Sequence, residues 1–116
     1  GFIPDSQRDW LFTKTKAYVF ASLMEGFGLP PLEAMAYGTP VVSSNASCMP
    51  EVLGDAAEYF SPTDIHDMAT AVERVITDET LRTTMVQRGY EQVKKYSWEK
   101  MARETHEIYQ KVLEKN

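Results

Sequence analysis

The sequence predicts an α/β fold, a Rossmann-like parallel sheet with helices on both faces. Over residues 1–62, short apolar segments rich in β-branched and aromatic residues alternate with helical patterns. Parallel strands joined by crossover helices produce this alternation. After Pro62 only helical patterns follow. We therefore divide the chain into an α/β part, residues 1–62, and a helical part, residues 63–116.

The first two elements are a predicted helix over residues 5–16 and a predicted strand over residues 17–22. Asp5 and Ser6 can cap the helix, and Trp10 begins its apolar face. Residues 17–22 read AYVFAS, an apolar run without alternation. Such a run is typical of a strand that is buried on both faces of a parallel sheet.

The next elements are a loop, a short helix and a second strand. The loop over residues 23–31 leads into a helix over residues 32–37, and Gly38 is well placed as its left-handed cap. Residues 39–44, TPVVSS, again form an apolar segment with β-branched residues. We expect this second strand to be buried on both faces as well.

A helical turn at residues 50–53 and a third strand at residues 57–60 complete the α/β part. Three helices should follow, with Asp64 as the N-cap of the first, a start near Asp78 for the second and Ser97 as the N-cap of the third. Each of these helices carries apolar side chains at helical spacing, and those of the second are expected to face inward. The side chains at these positions are Ile65, Met68, Val72, Val75 and Ile76, then Leu81, Met85, Tyr90 and Val93, then Trp98, Met101, Thr105, Ile108, Val112 and Leu113.

Composition excludes several classes of protein. The chain has 116 residues, 43% of them hydrophobic, and 12 basic against 17 acidic side chains for a net charge of −5. This is ordinary globular composition, and the acidic balance disfavours a nucleic-acid partner. No apolar run approaches the roughly 20 residues that span a bilayer, so we expect no transmembrane segment. Cys48, the single cysteine, suggests neither a disulfide nor a zinc site.

The segment at 25–33, EGFGLPPLE, is the candidate site, because it follows a strand and precedes a helix. Gly26 and Gly28 let main-chain N–H groups approach an anion closely, and a helix N-terminus suits a phosphate group. Carboxylates at Glu25 and Glu33 would repel a diphosphate. We therefore expect them to accept hydrogen bonds from sugar or ribose hydroxyl groups on either side of it.

A simpler interpretation of the same residues stays open. Two glycines in a loop are often only turn residues, and Glu33 can be a surface residue that the helix dipole favours. A capping box is disfavoured, because Pro30 as the N-cap has no N–H to donate. From the residues alone, a phosphate or sugar site and a plain turn are about equally supported.

The segment at 25–33, followed by GTPVV at 38–42 and MPEV at 49–52, closely resembles the C-terminal lobe of family 4 retaining glycosyltransferases. These enzymes have the GT-B fold. Further similarity includes GDAA at 54–57 and YSWE at 96–99, so nearly all of the chain is covered. The resemblance implies a partial GT-B C-terminal domain, the second half of a nucleotide-sugar-binding domain that ends in several helices.

The resemblance also implies roles for individual residues. The residue that matches Glu33 holds the ribose hydroxyls, and the one that matches Glu25 contacts hydroxyls of the transferred sugar. Glu25 is the candidate catalytic residue; we favour a positioning role over a covalent nucleophile. Residues 43–47 would form a loop near the donor. The main chain facing the sugar and diphosphate would be that of Gly26, Phe27, Gly28 and Leu29.

The implied reaction transfers a hexose from a nucleoside-diphosphate sugar to an acceptor hydroxyl with retention, and it requires no metal ion or other cofactor. The family's Arg and Lys that neutralise the diphosphate, and its acceptor-binding lobe, lie upstream of the position that matches Gly1. We expect the fragment to be inactive alone, with a nucleotide-binding module without catalysis as the alternative. A third hypothesis is an interaction module without a ligand.

We expect a cytoplasmic location, or a membrane-peripheral one for the full-length protein. Arg8, Lys14 and Lys16 are expected to be surface charges.

Overall fold

The computed structural model describes residues 2–114, in which helices surround a three-stranded parallel sheet. The strand order is β1-β2-β3, and both pairings are parallel, which confirms the predicted fold class. The elements are α1 (Asp5–Lys14), β1 (Tyr18–Phe20), α2 (Leu29–Ala36), β2 (Val41–Ser44), α3 (Met49–Leu53), a 3₁₀ turn (Gly54–Ala56), β3 (Ala57–Phe60), α4 (Ile65–Thr77), α5 (Glu79–Val93) and α6 (Trp98–Glu114).

Two apolar clusters lie on opposite faces of the sheet, because successive side chains of β2 point to opposite sides. Val41 belongs to the first cluster, with Leu32 and Met35 of α2 and residues of α3. Val42 belongs to the second, with Val75 of α4 and its neighbours. All four residues of β2 are buried. The predicted helices on both faces of the sheet are therefore present.

The predicted N-caps Asp64 and Ser97 are confirmed, and so is the start of a helix near Asp78. Carboxylate oxygens of Asp64 and Asp78 accept hydrogen bonds from main-chain N–H groups of α4 and α5 at 2.8–3.1 Å. The Ser97 hydroxyl accepts one from the N–H of Lys100 at 3.0 Å. Gly38, with φ +76°, has the left-handed conformation predicted after α2.

Helix α1 begins at Asp5 as predicted, but its N-cap and its apolar face differ from the prediction. Pro4 occupies the N-cap position, and its carbonyl accepts hydrogen bonds from N–H groups in the first turn. Asp5 lies inside the helix and pairs with Arg8 instead of capping. Trp10 is 60% exposed, because the buried face of α1 is formed by Phe12 alone.

The prediction that the first strand is buried on both faces was also wrong. β1 comprises Tyr18–Phe20, and Val19 is 43% exposed. Within residues 2–114, β1 pairs only with β2 and is therefore an edge strand. Tyr18 and Phe20 pack against the cluster on the α2 side. The opposite face of β1 lacks an equivalent cover.

Several apolar side chains of the helical part are exposed, including Tyr90, which was predicted to face inward. Ile65 is 81% exposed because it occupies the first position of α4, and Ile76 and Tyr90 are also exposed. No residue of α6 is buried, although its apolar side chains repeat at helical spacing. Among the described residues, no helix combines the length and apolar character needed to cross a membrane.

Candidate functional site

The predicted site lies where two parallel strands end at the same edge of the sheet. Residues 21–28 connect β1 to α2, and residues 45–48 connect β2 to α3. Hydrogen bonds between the Ser47 side chain and the main chain of Glu25 join the two loops. This edge is the place where ligands bind in open α/β sheets.

The helix after the first loop begins at Leu29, three residues before the predicted start at Leu32. Proline in the first turn stabilises this earlier start, because its fixed φ suits a helix and its absent N–H would have no partner there. Gly28, with φ +92°, is the N-cap, so the position assigned to Pro30 was wrong. Glu33 falls in the second turn, and a capping box remains excluded.

Gly28 is required by packing as well as by its backbone conformation. A Cβ atom added there would overlap the side chain of Met49, which is fully buried below the loop. Gly26, in contrast, has nothing near the position of an added Cβ. The two glycines of the motif therefore have different physical roles.

Main-chain N–H groups of the loop are available to a ligand. Within residues 2–114, the N–H groups of Gly26, Phe27, Gly28 and Leu29 donate no hydrogen bond to the protein. Pro30 and Pro31 have no N–H, so the start of α2 offers donors only from Gly28 and Leu29. Gly28 is buried, so the exposed residues Gly26, Phe27 and Leu29 provide the amides that are free to bind an anion beside a helix N-terminus.

Glu25 is half-buried and is held by serine side chains. The Ser22 hydroxyl donates to Oε1 of Glu25 at 2.5 Å. The Ser47 hydroxyl donates to the Glu25 carbonyl at 3.0 Å and accepts from the Glu25 N–H at 3.3 Å. The fully buried Ser44 donates to the carbonyl of Ser22 at 2.6 Å. Both the main chain and the carboxylate of Glu25 are therefore fixed.

Sequence reasoning placed residues 43–47 near the site but identified neither Ser22 nor Ser47 as a partner of Glu25. Ser47 has φ +56°, the left-handed region that costs a residue with a Cβ atom about 1–2 kcal/mol. Serine gives no sequence signal for this conformation, unlike glycine or asparagine. The Cys48 thiol lies 3.4 Å from the carbonyl oxygens of Glu25 and Phe27 and joins the same loop pair.

Glu33 is exposed on α2, and its carboxylate is uncommitted. Within the described part of the chain it makes neither a hydrogen bond nor an ion pair. Its charge acts on Arg8, whose pKa is raised first by the hydrogen bond to Asp9 and also by Glu33. Arg8 itself pairs with Asp9 at 3.0 Å and with Asp5 at 3.3 Å, as expected for a surface charge.

The phenol of Tyr18 on β1 is affected by both glutamates of the motif. Burial raises the pKa of the Tyr18 phenol, and the carboxylates of Glu33 and Glu25 raise it further. In the sequence, the loop amides lie between these two carboxylates.

The site is an open face of the molecule. Phe27 and Leu29 are 40% and 43% exposed. Two surface grooves lie elsewhere, one beside Asp55 and Gln92 and one beside Trp10 on α1. Between Phe2 and Glu114 no group of three or more His, Cys, Asp or Glu side chains is arranged to hold a metal ion.

Comparison with known proteins identifies the family of this chain. A sequence model of the family "Glycosyl transferases group 1" matches residues 1–92. O-antigen chain mannosyltransferase B of Escherichia coli is 38% identical over 109 residues, which are 94% of this chain and 29% of that protein. The serotype-specific mannosyltransferase WbdA of Escherichia coli is 37% identical over 114 residues, 98% of this chain and 14% of that protein.

A solved structure extends the similarity to the fold. Sucrose-phosphate synthase from Thermosynechococcus elongatus superposes with a TM-score of 0.84 at 26% identity, over 100% of this chain and 30% of that one. The chain thus spans less than a third of the length of these relatives. The chain belongs to the group 1 glycosyl transferases and corresponds to part of the C-terminal lobe of the GT-B fold.

Proposed function

We propose that these residues bind the nucleoside-diphosphate sugar of a retaining hexosyl transfer reaction, with Glu25 on the sugar and Glu33 on the ribose. One observation carries the proposal: the loop between Glu25 and Glu33 has unpaired main-chain N–H groups beside the N-terminus of α2. Amides and a helix N-terminus favour a diphosphate, and carboxylates favour hydroxyl groups. From Glu25 to Glu33, the loop would therefore contact a hydroxyl group, then the phosphates, then a second hydroxyl group of the ligand.

The same arrangement suits the departure of a diphosphate. As the glycosidic bond breaks, negative charge grows on the leaving oxygens and the sugar gains oxocarbenium character. Fixed N–H donors stabilise that negative charge without reorganising during the reaction. The donors are those of residues 26–29, which the protein itself leaves unpaired. No step of this scheme calls for a metal ion or other cofactor.

Glu25 is proposed to position the sugar and not to attack it. The hydrogen bond from Ser22 occupies Oε1 and reduces the electron density available for nucleophilic attack. A carboxylate with one oxygen held and the other free is well suited to accept a sugar hydroxyl. A trapped glycosyl-Glu25 adduct would overturn this assignment.

Mannose is our proposed sugar, because the two curated relatives reported above are named mannosyltransferases.

The open face of the site supports a second element of the proposal, a separate lobe that binds the acceptor and covers the donor. Without it, the 116-residue chain should bind the donor and transfer nothing. We keep the cytoplasmic or membrane-peripheral location as a prediction.

The test is a ¹⁵N NMR titration of the 116-residue chain with GDP-, UDP- and ADP-linked mannose and glucose. At least one of these nucleotide sugars should change the chemical shifts of the amide signals of Gly26, Phe27, Gly28 and Leu29. Glu33→Gln should lower the affinity for that ligand about tenfold, since a charge-assisted hydrogen bond contributes roughly 1.5–3 kcal/mol. A donor analogue with 2′,3′-dideoxyribose should bind the unsubstituted protein more weakly than the donor does. The donor and the analogue should bind Glu33→Gln with the same affinity.

Glu73→Gln is the matched control, because Glu73 is exposed on α4 and the substitution removes the same charge. It should bind like the unsubstituted chain. If no nucleotide sugar shifts the loop amides, the chain is an interaction module and the proposal fails. Transfer by the 116 residues alone would contradict the need for a second lobe.

A further inference from the structure

We infer that Ser47 is a positioning residue whose hydroxyl group holds the main chain of Glu25 and so aims its carboxylate at the donor sugar. The inference rests on the proposed function, because that function places the sugar hydroxyls on Glu25. Ser47 itself need not contact the ligand.

The hydroxyl of Ser47 engages Glu25 twice. It donates to the Glu25 carbonyl at 3.0 Å and accepts from the Glu25 N–H at 3.3 Å. These two groups flank the Cα atom of Glu25, so the pair of bonds restrains the peptide planes on both sides of it. The direction of the Cα–Cβ bond, and with it the start of the carboxylate side chain, is then fixed.

The backbone of Ser47 favours this assignment over an accidental contact. Among residues 2–114, Ser47 is the one non-glycine residue with a positive φ, +56°. Glycine would adopt this conformation without strain, but glycine has no hydroxyl group. The chain thus has a strained residue at the one position from which the hydroxyl bridges two loops.

The carboxylate end of Glu25 is held by a second, independent chain of bonds. Ser22 donates to Oε1 at 2.5 Å, and buried Ser44 on β2 anchors the carbonyl of Ser22 at 2.6 Å. Within the described residues, Oε2 of Glu25 accepts no hydrogen bond from the protein. Ser47 and Ser22 together therefore leave one carboxylate oxygen oriented and free.

Ser47 is exposed, so removal of its hydroxyl creates no cavity in the core. Its loss should act on the orientation of Glu25 and much less on the fold. This separation makes the inference testable: a positioning role predicts a selective loss of sugar recognition, whereas a structural role predicts an equal loss for every ligand.

The first experiment compares the best nucleoside-diphosphate sugar with its own nucleoside diphosphate by titration calorimetry. Ser47→Ala and Ser47→Gly should each reduce the preference for the sugar nucleotide by about three- to tenfold, the equivalent of one or two hydrogen bonds. The affinity for the diphosphate without sugar should stay within about twofold. Ser97→Ala, which removes an exposed serine hydrogen bond at the start of α6, is the control and should change neither affinity.

Ser47→Asn provides the rescue, because asparagine tolerates the left-handed region and its amide can donate and accept. It should restore the preference to within about twofold. An equal loss of affinity for both ligands in Ser47→Ala, or no loss for either, would overturn the inference.

The second experiment needs no ligand and so separates this inference from the proposed function. Amide hydrogen exchange should be about fivefold faster at Glu25 in Ser47→Ala than in the unsubstituted chain, because one accepting partner is lost. Exchange in α4 should not change. Unchanged exchange at Glu25 would refute the positioning role even if the chain binds a nucleotide sugar. If the chain binds none, the proposed function fails while this measurement still decides whether Ser47 holds Glu25.

Discussion

The ring of Phe27 meets the ring of Tyr96 edge-on, with centroids 5.3 Å apart and planes 87° apart. The Tyr96 hydroxyl also donates to the carbonyl of Val52 at 3.0 Å. A residue of the motif loop is thereby tied, through one tyrosine, to the end of α3 and to the segment just before α6.

Substitution of Tyr96 should separate its two contacts. Tyr96→Phe loses only the hydrogen bond to Val52 and should reduce the free energy of unfolding by about 1 kcal/mol. Tyr96→Ala also loses the ring pair, worth about another 0.5–1.5 kcal/mol, and should weaken nucleotide-sugar binding by loosening the loop. Urea denaturation measures the first effect and calorimetry the second. Tyr109→Ala, 67% exposed on α6, is the control and should change neither.

Gly28 and Gly26 should respond differently to the same substitution. Gly28→Ala places a Cβ at φ +92° and against Met49, so it should lose at least about 2 kcal/mol of stability. Gly26→Ala has open space and a negative or extended φ, and should stay within about 0.5 kcal/mol. Equal losses in urea denaturation would contradict the distinction between the two glycines.

Tyr59 should make stability fall at alkaline pH. Burial, followed by the charge of Asp55, raises its pKa from 10.0 to about 12, and its hydroxyl donates to the Gly54 carbonyl at 2.7 Å. The neutral phenol is therefore favoured in the folded state. Its stabilising effect is complete below pH 10 and is lost as pH rises from 10 to about 12.

The comparison of Tyr59→Phe with the unsubstituted chain isolates this effect from other titrating groups. Because Tyr59 is only half-buried, the pH-dependent part should be about 1 kcal/mol after solvent screening. The difference in unfolding free energy between the two proteins should shrink between pH 9 and pH 12. A constant difference across that range would show that Tyr59 does not titrate with a raised pKa.

The apolar face of α6 should contribute little to the stability of this chain. Ile108 and Leu113 are 61% and 74% exposed, so the double substitution to serine should change the unfolding free energy by less than about 1 kcal/mol. Val75→Ala, at a fully buried position of α4, should cost about 2 kcal/mol.

Light scattering across protein concentration provides a second measurement on α6. A contiguous exposed apolar stripe promotes self-association, which the serine variant should reduce. A large loss of stability in the serine variant would show that α6 packs against the rest of the chain.

Several features could be predicted because they depend on residues close in sequence. Asp64, Asp78 and Ser97 act as N-caps through groups two or three residues away, and Gly38 takes its left-handed conformation within its own turn. The apolar segments predicted the parallel sheet, and the motif at 25–33 predicted the family. Each of these signals is local or is a fixed spacing in the chain.

Burial of β1 and α6 could not be predicted in the same way. An apolar segment shows that a face can be covered but not which element covers it. Val19 was therefore wrongly placed inside, and the pattern of α6 did not determine that its whole stripe is exposed. The start of α2 at Leu29 depends on Gly28, the N-cap, where Met49 leaves no room for a Cβ atom.

The amino-acid order by itself determined the alternation of strands and helices, the helix caps and the spacing of Glu25 and Glu33, because these follow from backbone preferences and short-range hydrogen bonds. Only the tertiary structure decided that Ser47 holds Glu25 and that Ser44 holds Ser22, each from 22 residues away. Such relationships arise when parallel strands bring distant loops to one edge of a sheet, and no local pattern of residues encodes that meeting.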